Sequence, residues 1–212
     1  MDHGAEVNLA DGQPEAVLLD GVGERADSFP NSFPTRSPMR ALILVADGFE
    51  DLSLYLPWYR LREEGVDVTL ASPLMHALAG IHGYVVEPDC PIHAVNPDDF
   101  DLLLIPDGRA PERLRQREEA VDVVRTFAQD GRMVAAMGHG PQVLISAGIL
   151  DGKTLTCSPG IRDDVRMAGA SYRDEATILD CVLLTGRGPD DLPEYCLRLI
   201  ALLKATESVG AR

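Results

Sequence analysis

The residues whose types and spacing suggest chemistry converge on AAMGHGPQ (135–142), where a run of small and apolar residues ends in Gly138, His139, Gly140 and Pro141. A strand that stops at a sharp turn and feeds directly into a helix is the geometry of a nucleophile elbow. It thrusts the central side chain into a crevice and aims neighbouring N–H groups at an oxyanion. Here the central residue is Gly138, which brings no nucleophile. His139, at the mouth of the following helix, is either a general base for water or a structural remnant. Glu50 and Asp51, just after an apolar run, read equally as charges stabilising a helix N-terminus or as ligand contacts. Cys157 ends another short run, and alternation places it and Ser158 on opposite faces, which argues against a relocated thiol nucleophile. Cys181 and Cys196 read as ordinary thiols, Arg109 and Arg113 as residues of subunit contacts, and His82 as a weak pocket candidate.

These residues need elements to position them. ALILVA (41–46), VDVTLAS (66–72), DLLLIP (101–106) and MVAAM (133–137) are short continuous apolar runs, as strands buried on both faces of a parallel sheet require. GYVVE (83–87), TLTC (154–157) and VLLT (182–185) are further strand candidates. Helices are expected over 51–65, where Leu52, Tyr55, Leu56, Tyr59 and Leu61 form a stripe and Gly65 a stop, and over about 115–130, 138–150, 162–168 and 192–204. Alternating strands and helices imply right-handed crossovers and a ligand crevice at the carboxyl ends of the strands. The informative turns are then 47–50, 107–109, 137–140 and 158–160.

The chain has 212 residues, 45% apolar, enough for the core of one medium domain. Residues 1–39 mix Gly, Pro, Asp, Glu and Ser and repeat Ser-Phe-Pro, so they are expected to form a flexible acidic arm, with Phe29 and Phe33 as anchors if it docks a protein partner. Residues 40–212 form the globular part. A net charge of −15 argues against nucleic acid as a partner. Four scattered cysteines without paired spacing suggest neither a disulfide framework nor a metal site. No cofactor is expected. No apolar run suits a membrane span and no signal peptide is visible, so a cytoplasmic protein is expected.

The segments ADGFEDLSLYLPWYRLREEGVDVTLASP, IHGYVVEPD, VNPDDFDLLLIPDGRAPERLR, MVAAMGHGPQVLISAGILDGKTLTCSPGIRDD and TGRGPDDLP resemble, in order, the signature segments of ThiJ/PfpI intracellular-protease-like proteins of the class I glutamine amidotransferase-like superfamily. The resemblance runs from about Arg40 to Leu203. It implies a flavodoxin-like α/β three-layer sandwich, with a mostly parallel central sheet and helices on both faces. It also implies a cysteine at the elbow, where this chain has Gly138, and a histidine after it, here His139, paired with a glutamate from a neighbouring subunit, here Glu112. A further glutamate touching the cysteine would close the FEDxE stretch, where this chain has Ser53. A Pro-Gly-Gly oxyanion turn becomes Pro106, Asp107 and Gly108, and Ser158 falls near the pocket.

Three departures in one pocket argue against thiol chemistry, since glycine offers no nucleophile and a carboxylate at Asp107 would repel a developing oxyanion unless it turned outward. The expectation is a homo-oligomer, dimer or hexamer, that has lost thiol catalysis and serves in binding, regulation or assembly. The alternatives are a working peptidase, deglycase or glyoxalase that activates water through His139 and Glu112, and a holdase-like stress-response protein.

Overall fold

The computed structural model describes residues 39–209, with side chains through 206. In chain order the elements are β1 (Arg40–Leu44), α1 (Asp51–Glu63), β2 (Asp67–Ser72), β3 (Leu78–Ala79), β4 (Val85–Val86), β5 (Cys90–Pro91), β6 (Leu102–Ile105), α2 (Ala110–Leu114) and α3 (Glu118–Gln129). There follow β7 (Met133–Met137), α4 (Pro141–Ala147), β8 (Thr154–Leu155), α5 (Arg162–Met167), β9 (Ser171–Tyr172), β10 (Thr177–Asp180), β11 (Leu183–Gly186) and α6 (Leu192–Val209). The arm expected over residues 1–39 lies outside the described residues except for Met39, which is buried.

Seven strands form one sheet in the order β10-β11-β7-β6-β1-β2-β5. All its pairings are parallel except β10 with β11. The chain steps from β1 to β2 in one direction and from β6 to β7 in the other. Right-handed crossovers therefore put the connecting helices on opposite faces, and a crevice opens where the order reverses, between β1 and β6. α1 packs beside α6, and α3 beside α4. Leu42, Ile43 and Leu44 of β1, Leu103 and Ile105 of β6, and Ala135 and Ala136 of β7 have no exposed surface, which is why these strands read as unbroken apolar runs.

Several boundaries differ from expectation. The helix expected over 115–130 is α3, which starts later, at Glu118, because Arg117 is extended (φ −109°, ψ 115°), and the short α2 that precedes it was not expected. The helix expected from residue 138 begins at Pro141, since Gly138 to Gly140 form the elbow turn, and it ends at Ala147 against the left-handed Gly148. Only Val85–Val86 and Thr154–Leu155 of two longer candidates find strand partners. The antiparallel edge strand β10 was not expected. It pairs with β11 across a turn where Cys181 takes φ 57°. α6 runs to Val209 rather than ending at Lys204.

Candidate functional site

The elbow follows β7 directly. Gly138 has φ +54°, a left-handed conformation that suits glycine. Its N–H donates to the Gly186 carbonyl (2.9 Å), and its own carbonyl accepts from the Ser158 N–H (2.9 Å). The turn is thus pinned between the end of β11 and the loop after β8. The Gly140 N–H closes the turn on the Met137 carbonyl (2.6 Å) before Pro141 opens α4. A β carbon built on Gly138 would stand 2.0 Å from both Cγ and Oδ2 of Asp107. The Asp107 carboxylate therefore occupies the space that an elbow side chain would take.

Asp107 follows β6 and Pro106, and it points inward rather than outward. Its Oδ1 accepts from the Gly108 N–H (2.7 Å), from the His139 N–H (2.7 Å) and from His139 Nδ1 (2.8 Å). Two backbone donors that face the elbow are thus taken by an internal carboxylate. The backbone holds Asp107 in place as well. Its N–H donates to Ser53 Oγ (2.9 Å), its carbonyl accepts from the Glu50 N–H (2.8 Å), and Ser53 Oγ donates to the Glu50 carbonyl (2.8 Å). Gly108 adds a close approach: at φ +102°, a β carbon there would lie 2.4 Å from the Gly48 carbonyl oxygen.

The hydrogen bond to Asp107 raises the pKa of His139, burial opposes this, and the Asp107 charge adds to the rise. Its Nε2 has no hydrogen-bond partner among the described residues. That atom faces the loop after β8, 3.8 Å from where a β carbon of Gly160 would sit.

Around this pair lies a cleft of about 750 Å³ lined by Glu50, Asp107, Gly108, Glu112 and His139 of the expected residues, and by His82. Glu50 is buried and caps α1, with Oε2 accepting from the Ser53 N–H (2.7 Å) and Oε1 from the Leu52 N–H (3.3 Å). His82 Nε2 stands 3.7 Å from Glu50 Oε1. Ser53, which the family resemblance places in the pocket, is fully buried and outside the lining, where its hydroxyl braces Asp107. The carboxylate that this turn presents to the cleft is Glu50. Ser158 is half-buried and meets the elbow through its backbone. Glu112 is exposed on α2, and the ring partner of His139 within the chain is Asp107.

Asp51 faces neither solvent nor the cleft. Its carboxylate accepts from the His82 and Tyr84 N–H groups (2.8 Å each) and ties the β3–β4 hairpin to α1. Burial pushes the Cys157 thiol up to about 12, against the opposing charge of Arg166, so it stays neutral at ordinary pH. All four cysteines are free. Among the described residues no group of three or more His, Cys, Asp or Glu is placed to hold a metal ion, and no helix is long and apolar enough to cross a membrane. The sequence alone missed the Asp107–His139 pair and the cleft residues Gln142 and Asp164. The signal for the pair was an acid in the turn facing an elbow that has only hydrogen to offer.

The DJ-1/PfpI family model matches residues 39–202. A protein of Pyrococcus furiosus named deglycase PfpI is 44% identical over 166 residues, which span 78% of this chain and 100% of the relative. Protein/nucleic acid deglycase 2 of Escherichia coli is 37% identical over 77% of this chain and 96% of its own length. Among solved structures, a two-domain protein of Anabaena variabilis with DJ-1/ThiJ/PfpI-like and ferritin-like domains superimposes with a TM-score of 0.77 at 32% identity. That match covers 78% of this chain and 48% of the larger protein. Drosophila melanogaster DJ-1beta gives a TM-score of 0.71 at 27% identity over 76% of this chain and 88% of its own. The sequence match over residues 39–202 and the mostly parallel sheet of this chain agree, and the chain belongs to the DJ-1/PfpI family.

Proposed function

We propose that this protein is a binding or regulatory member of its family rather than a thiol catalyst, with Gly138 standing where the family pattern has a nucleophilic cysteine. The observation that carries the reading is the position of Asp107. Its Oδ1 takes the Gly108 and His139 N–H groups, and its Cγ and Oδ2 fill the space beside Gly138. A site whose elbow donors are already bonded to a fixed anion gives no stabilisation to a second one forming beside it. A cytoplasmic setting belongs to the same proposal, supported by four free cysteines.

A second reading, a water-activating enzyme, has one observation in its favour. An Asp–His pair with Nδ1 held at 2.8 Å leaves Nε2 open, which is the arrangement of an oriented general base. The deglycase names of the relatives lean the same way.

The test is turnover of methylglyoxal and of a fluorogenic peptide by the parent, Gly138→Cys, the double variant Asp107→Gly with Gly138→Cys, and His139→Ala. Parent and single variant are expected to be inert, the latter because Asp107 obstructs the new side chain, while the double variant gains turnover. Activity in the parent that His139→Ala abolishes would overturn the reading in favour of water activation.

A further inference from the structure

The cleft beside the elbow is unusual in what its atoms still lack. Asp107 is more than nine-tenths buried, and all three of its side-chain hydrogen bonds fall on Oδ1. Oδ2 has no hydrogen bond among the described residues. Gln142, also in the lining, has a shielded side-chain oxygen without a partner. The shielded Gln142 oxygen is costly to leave unbonded, and Asp107 Oδ2, which is not fully shielded, is open to a ligand rich in N–H donors.

The surrounding charge is mostly negative: Glu50, Asp107, Glu112 and Asp164 line the cleft, against Arg109 and the imidazoles His82 and His139, the latter paired with Asp107. The donors an anion would need, the Gly108 and His139 N–H groups, are already satisfied by Asp107. Ile81 and Ile161 add apolar wall suited to a short aliphatic stem.

From these features we infer that the cleft binds a small organic cation, an alkylammonium or alkylguanidinium whose N–H groups bond Asp107 Oδ2 while Glu112 and Asp164 balance its charge. This rests on the binding reading above and names its ligand class. No bond is made or broken. The cleft exchanges water for a charged donor that meets a preorganised acceptor.

The experiment is calorimetric titration of the full chain with putrescine, with neutral 1,4-butanediol and with anionic succinate, in about 150 mM salt to screen diffuse attraction by the acidic surface. Putrescine is expected to saturate at one site per chain and the other two to give no binding. Asp107→Asn weakens putrescine by about tenfold or more and Glu112→Gln by severalfold, while Glu63→Gln, exposed at the far end of α1, changes nothing. Should Asp107→Asn fail to fold, Glu112→Gln decides.

Absence of saturable putrescine binding, preference for succinate, or an equal loss in Glu63→Gln would each overturn the inference. The binding reading fails separately, on turnover by the parent. A protein that neither turns over methylglyoxal nor binds putrescine keeps that reading and loses only this ligand.

Discussion

At Gly138 two constraints coincide, a left-handed backbone and a neighbouring carboxylate, and they can be separated by mutation. Gly138→Ala is expected to cost about 2–4 kcal/mol, combining backbone strain with overpacking against Asp107. In an Asp107→Gly background only the backbone part remains, about 1–2 kcal/mol. Urea unfolding of the four proteins in a double-mutant cycle measures the difference, and equal costs in both backgrounds would refute the steric account. His139 offers a second prediction. Its folded pKa is raised, so its contribution is fully present below the unfolded value of about 6.5 and is lost as pH rises through the folded value. The gap in melting temperature between parent and His139→Gln should therefore be widest at pH 6.5 and below and narrow above it. A gap independent of pH would mean that the histidine is not charged in the native pair. The missing side chain at Gly138 is legible in the sequence, but the direction of Asp107 is not, because an acid after a strand can face either way until its donors are in place.

Among the elements, α1 bears most on the site, because its first turn holds Glu50, Asp51 and Ser53 under the cleft. Glu50→Ala removes the acceptor for the Leu52 and Ser53 N–H groups and should destabilise by about 1 kcal/mol, the usual worth of an N-cap. Thermal or chemical unfolding reads this directly, and an unchanged midpoint would show that water caps the helix equally well. The central strands were legible because burial on both faces demands unbroken apolar runs; Met133–Met137 matches its expected run end to end. The two-residue strands β3, β5 and β9 were not, since two residues with one partner strand leave no periodic pattern. The short α2 was equally hidden, because about one and a half turns carry too few residues to show a helical stripe.

Among the described residues, α1 and the β3–β4 hairpin gather a broad apolar face. Leu52 and Tyr59 of α1 are each 56% exposed, and Tyr84 and Val85 of the hairpin 60% and 58%. Tyr55 links the two, with its ring 5.4 Å from Tyr84 and its hydroxyl donating to the Val85 carbonyl (2.8 Å). Aromatic and aliphatic side chains gathered this way are what subunit interfaces use, and we propose this face as the contact of the homo-oligomer expected from the sequence. Light scattering should find the parent larger than a monomer and Tyr59→Glu shifted toward one; a monomeric parent would refute it. The family, the parallel core and the lack of a side chain at Gly138 follow from the amino-acid sequence alone, since each is written in contiguous residues and in the chemistry a side chain can or cannot offer. That Asp107 fills the elbow and bonds His139 emerges only in the folded chain. Those residues are remote in the chain and meet only because β6 and β7 pair in parallel, Ile105 beside Ala136, bringing the two turns to one end of the sheet.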